Sequence, residues 1–144
     1  MNNLIVRRLI LSSDIKANAI SFIMPLLLIY EQLGLDADST GVKYTSGKFK
    51  IDTNGLKSAI IRATWIADEP DSVTAIELYD ETAGSVVGSV SGNTGTDEES
   101  SDLSGAITSG HLFSLRINVT TASATTGATT SVMYAILELT YGYS

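Results

Sequence analysis

Apolar and polar positions alternate with a period of two through most of this chain, the pattern of strands that bury one face. It is clearest from His111 to Tyr141. Phe113, Leu115, Ile117 and Val119 alternate with Ser114, Arg116, Asn118 and Thr120; after a run of Thr, Ala, Ser and Gly, the pattern resumes with Met133, Ala135, Leu137, Leu139 and Tyr141 on one face. The expectation is an antiparallel pair joined by a polar connector, the spine of the fold. Leu56 to Asp68 alternates as cleanly, with Ala59, Ile61, Ala63, Trp65 and Ala67 on one face. Ser72 to Asp80 reads as a further strand, turned by E-T-A-G into S-V-V-G-S-V. Val42 to Asp52 reads as a hairpin with Gly47 in its turn. Ile20 to Tyr30 is an apolar strand whose Pro25, having no N–H to donate, belongs at an edge or a bulge. Ser91 to Ser104 is polar enough to read as a loop.

These segments give about eight short strands separated by Gly-, Ser- and Asp-rich turns. No helical period is sustained, and no alternation of strand with helix suggests a parallel sheet. The predicted fold is all-β, an antiparallel two-sheet β-sandwich of the jelly-roll kind. Residues 1–19 form an N-terminal strand or arm and residues 20–144 the sandwich. In the arm, Leu4, Ile5, Val6, Leu9 and Ile10 flank the pair Arg7-Arg8. Such a segment suits an edge strand, or an assembly arm that completes a neighbouring subunit's sheet.

Composition narrows the function. A chain of 144 residues can bury a core unaided, and 44% hydrophobic residues argue against disorder. Charged residues are 17% of the chain, with Ser and Thr filling the gap, so few charges need desolvation when such surfaces meet. That favours a homo-oligomer. The net charge of −7 offers nothing to a phosphate backbone, so nucleic acid is not an expected partner. The absence of cysteine excludes disulfides and thiolate metal sites. The apolar run after Arg7-Arg8 is interrupted by Asp14 and Lys16 and is followed by no A-x-A site, so neither a secretory signal peptide nor a membrane span is expected.

Candidate chemistry is sparse. Asp36, Asp38 and Thr40, followed by Gly41, fill the first, third, fifth and sixth places of a calcium loop, but Gly47 stands where the bidentate Glu belongs. The other reading of D-A-D-S-T-G is a turn. One histidine, His111, and no cysteine leave no nucleophile–base pair legible, and G-S-V-V-G is not a nucleophile elbow. An enzyme is not expected. Trp65 reads as core; its sharper alternative, with Tyr134, Tyr141 and Tyr143, is an aromatic platform for a sugar ring. The acids Asp97, Glu98, Glu99 and Asp102 read as a solvated loop.

The runs R-A-T-W-I-A (62–67), A-I-E-L-Y-D-E-T-A-G (75–84) and A-I-L-E-L-T-Y-G-Y (135–143) resemble the small jelly-roll structural proteins of viruses and extracellular filaments. Those of hyperthermophilic archaeal viruses are nearest in texture, being Cys-free and rich in Ser, Thr, Tyr and Ile. The resemblance implies self-assembly in a virion, filament or surface layer, outside the cell. The alternative is a carbohydrate-binding sandwich with a glycan partner, aided by calcium and otherwise without cofactor.

Overall fold

A computed structural model describes residues 20–142, with side chains from Gly34 onward. The chain folds as a ribbon doubled on itself and then rolled. Eight strands follow in order: β1 (Ile20–Asp36), β2 (Gly41–Thr45), β3 (Leu56–Ala67), β4 (Val73–Asp80), β5 (Ser85–Gly92), β6 (Thr94–Glu99), β7 (Phe113–Thr121) and β8 (Thr129–Tyr141). First pairs with last and each next pair nests inside: β1 with β8, β2 with β7, β3 with β6, β4 with β5, all antiparallel. Rolling the ribbon brings β8 against β3 and β7 against β4. Two four-stranded sheets result, β1-β8-β3-β6 and β2-β7-β4-β5. This is the jelly-roll order, and only β4 and β5 form a hairpin within one sheet.

The inner faces hold the core. Ile61, Ala63 and Trp65 of β3 and Ala135, Leu137 and Leu139 of β8 meet Ile76 and Leu78 of β4 and Phe113, Leu115 and Ile117 of β7. Ile51, Leu103 and Ile107, from the long connections, close one end. Toward the other end two buried threonines join the sheets, the Thr74 hydroxyl donating to that of Thr130 at 2.9 Å.

Several expectations are corrected. β7 and β8 are not a pair: β7 lies between β2 and β4, β8 between β1 and β3. Alternation marks one buried face per strand, and facing sheets satisfy it as well as neighbouring strands do. Residues 46–49 do not turn back as a hairpin but continue along β7. The Ser46 amide donates to Leu115 O at 2.8 Å, and Phe49 and Phe113 exchange backbone bonds at 2.9 and 2.8 Å. The polar stretch 91–104 contains β6, whose single buried residue, Gly95, packs on Trp65 and leaves no apolar alternation to read. Met133 is exposed, and Val132 takes the inward place. The β3 register steps between Thr64 and Trp65 opposite them, a bulge that turns the strand over by one residue. Pro25 meets its expectation, since β1 is an edge strand and its register shifts between Pro25 and Leu27.

Candidate functional site

At one end of the sandwich gather the connections 37–40, 68–72, Asn93 and 122–128. Aspartates hold them together. Asp38 accepts from the Gly127 amide at 2.7 Å, Asp71 from the Ala124 amide at 2.9 Å, and Asp68 from the amide and hydroxyl of Thr129 at 2.8 and 3.0 Å. Asn93 donates to Glu69 O and Ser72 O. The long connector 122–128 is therefore clamped at both ends and exposes only residues 124–127.

The residues of the candidate calcium loop are tied into the same end of the sandwich. Asp36 Oδ1 accepts from the Asp38 amide at 3.0 Å, an Asx turn, and Asp36 Oδ2 accepts from the Ser39 hydroxyl at 2.7 Å and from Lys43 Nζ at 3.0 Å. These partners, Ser39 first, hold the Asp36 carboxyl well below the usual range. The Asp38 carboxylate lies beside that of Asp36 and also accepts from the Gly127 amide, and Thr40 is an exposed loop residue. Among the described residues no group of three or more His, Cys, Asp or Glu could hold a metal ion.

Among the described residues the aromatic platform is not assembled. Trp65 is 1% exposed, its ring edge lies over Gly95, and its indole N–H donates to Gly92 O at 3.1 Å. A ring in that place stacks on the protein, not on a sugar. Tyr134 stands on the outer face of the β1-β8-β3-β6 sheet and donates to Asp97. Burial and that carboxylate push its hydroxyl above the ordinary value. Tyr141 donates to Asp52 O at 2.7 Å, near the opposite end of the sandwich from Trp65's neighbour Gly92. Tyr79 is covered by the Arg116 guanidinium, 3.3 Å from its ring centroid. Tyr143 and the arm residues Leu4, Ile5, Val6, Leu9 and Ile10 lie outside the described residues.

The outer face of the β2-β7-β4-β5 sheet carries a polar network in which the buried Arg116 Nε has no hydrogen-bond partner among the described residues. Glu81 accepts from Ser114 Oγ at 2.7 Å and Arg116 at 2.8 Å, with Lys48 at 3.3 Å. These partners lower its pKa to about 2. Asn118 donates to Glu77 at 3.0 Å. His111 caps a turn: its Nδ1 lies 2.7 Å from buried Asp80, whose other oxygen takes the Thr82 and Ala83 amides. Burial alone would raise the Asp80 carboxyl, but the Ala83 amide and His111 outweigh it and leave it lowered.

What remains open is an edge. Among the described residues four strands border the sheets: β1, β6, β2 and β5. Exposed edges invite pairing with another chain, and proteins blunt them with charge, proline, bulges or brevity. β1 has Pro25 and two register shifts. β2 is five residues long, bulged, and carries Lys43. β6 is six residues long, has Asp97, Glu98 and Glu99, a register shift, and a left-handed φ of 51° at Asp97. β5, S-V-V-G-S-V-S-G, has eight residues, no charge and no proline; its one irregularity is a bulge at Val87. Beyond it Gly88 to Gly92 pairs regularly with β4 alone, while Val86 stands 48% exposed and Ser89 and Ser91 face solvent.

Sequence reading found β5 as a strand but not as an edge. No protein-family model matches the chain, and no curated protein sequence is significantly similar to it.

Proposed function

We propose that the protein is a non-catalytic structural β-sandwich that self-assembles, a component of a virion, filament or surface layer. The observation that carries this reading is the uncharged, eight-residue edge β5 in a molecule whose other three edges are each blunted by at least two devices. A strand edge that no described strand covers, with Ser, Val and Gly side chains, is a template for a further strand, and pairing there desolvates no charge. The rest of the surface supports the same reading. Seven of its carboxylates hold loops and sheets together: Asp38, Asp68, Asp71, Asp80 and Asp102 cap backbone amides, and Glu81 and Glu99 pair with arginines. A sandwich braced in this way is a rigid building block.

Sedimentation velocity and negative-stain microscopy across a concentration series test it. Concentration-dependent oligomers or regular assemblies are expected. A strictly monomeric species at the highest soluble concentration overturns the proposal.

A further inference from the structure

Resting on that reading, we infer that the segment Leu4–Leu11 of one copy docks as an added strand against β5 of a second copy. Three observations converge on this occupant.

The first is fit. The segment L-I-V-R-R-L-I-L and β5 are both eight residues, each spanning about 26 Å when extended. Leu, Ile and Val supply the bulk that β5, with Ser or Gly at five of its eight positions, lacks. Aliphatic side chains over a small-residue strand also cover the exposed Val86.

The second is charge. β5 and β6 run along the same side of the sandwich, because the chain crosses from one sheet to the other at Asn93. Residues equally far from Asn93, such as Val87 and Glu99, come to about the same height. A strand added beside β5 therefore runs past Asp97, Glu98 and Glu99. Arg62 bridges Glu99 and Asp97 but is itself shared with Glu138, so this side is left with an acidic excess. Consecutive residues of a strand point to opposite faces, so one of Arg7 and Arg8 faces the β6 side whichever way the segment is turned.

The third is reach. β1 begins at Ile20, at the opposite edge of the sandwich from β5. Four strand spacings and one sheet separation put roughly 22 Å between Ile20 and a strand beside β5, along a line that passes through the sandwich itself. Going round that end, over the connections 46–55, 81–84 and 100–112, takes up nearly all of the about 30 Å that residues 12–20 span at full extension. A second copy's arm meets no such limit.

The chain contains no cysteine, which makes the test direct. Ile5→Cys or Leu9→Cys is introduced in one preparation and Val86→Cys or Ser89→Cys in another, each checked for the native far-ultraviolet spectrum, and the two are mixed and oxidised. A disulfide-linked heterodimer is expected. In parallel, Arg7→Glu/Arg8→Glu is expected to weaken assembly about tenfold, with partial recovery when Glu98→Lys is added. A chain lacking residues 2–11 is expected to stay folded and monomeric. A cross-link that forms only within a doubly substituted chain places the arm on its own sandwich and overturns the inference. Wild-type assembly that persists in the truncated chain, with no cross-link in the mixtures, overturns the inference and leaves self-assembly standing. A wild-type chain that stays monomeric overturns both.

Discussion

Gly95→Ala adds one methyl group where β6 crosses the Trp65 ring. Gly95 does not have a left-handed backbone, so alanine is conformationally allowed, and the whole effect is steric. A Cβ at this position overlaps the far edge of the indole and comes within 2.7 Å of Glu98 Cγ, against an optimum of about 3.5–4.0 Å between carbons. The ring cannot back away, because it is 1% exposed and its N–H is fixed on Gly92 O. β6 must therefore lift or the indole must leave its rotamer. Overpacking of this kind costs about 1–3 kcal/mol, which for a chain near 150 residues lowers Tm by roughly 2–4 °C per kcal/mol. A fall of about 6 °C is the central expectation. The control is Gly105→Ala, in the 3-10 turn Ser104–Ala106, where nothing lies within 4 Å and no left-handed φ is required. There alanine restricts the unfolded chain and is neutral or stabilising by up to about 1 kcal/mol. The two substitutions thus have opposite expected signs. Thermal unfolding followed by circular dichroism gives Tm, and emission from the single tryptophan reports the ring directly. Equal Tm values for the two variants, with unchanged Gly95→Ala emission, would refute the packing of Trp65 and reopen its use as a ligand platform.

Three further outcomes are expected. Thr130→Val removes the partner of the buried Thr74 hydroxyl and costs about 1–2 kcal/mol, whereas Thr74→Val/Thr130→Val recovers most of it; additive losses in urea unfolding would contradict the bond. Glu81 has a folded pKa of about 2 against an ordinary 4.5, so in the interval between them the unfolded chain binds more protons. Its contribution is complete above pH 4.5 and is lost as pH falls toward 2, so Tm should drop across that window and drop less in Glu81→Gln; equal slopes would contradict the assignment. Millimolar calcium, tested against a chelator, should leave Tm unchanged because Lys43 already neutralises Asp36, and a clear upward shift would restore the calcium loop.

The fold class was legible because one-sided burial leaves its mark residue by residue. In β3, Ala59, Ile61, Ala63, Trp65 and Ala67 all turn inward as their alternation says. The pairing was not legible. A strand whose partner lies in the same sheet and a strand that faces it across the core show the same period of two, so β7 and β8 read as neighbours although they lie in opposite layers. β6 escaped notice for a related reason. An edge strand over an indole needs only one small residue inside, and Gly95 among acids looks like a loop. Bulges are a third limit, since the step that buries Val132 and exposes Met133 depends on the register with β3 and not on the local sequence.

The candidate site shows the same division in sharper form. Residues that announce chemistry in a sequence, such as Asp36, Asp38, Trp65 and Tyr134, are in the fold committed to holding it together. Their hydrogen-bonding capacity is satisfied locally, as buried and half-buried polar groups require. The surface left available is built from residues that announce nothing. Ser, Val and Gly in β5 form an open edge only because β4 lies on one side and no described strand on the other. Backbone groups carry that feature, so it has no signature in composition. The arm Leu4–Leu11 is the complementary case: its aliphatic run with two central arginines is conspicuous in the sequence, and it matches the edge in length and carries the charge that the edge lacks. If assembly proceeds by strand addition, its specificity then resides in the pairing of Arg7 and Arg8 with the acids of β6, because the backbone ladder alone accepts any extended chain.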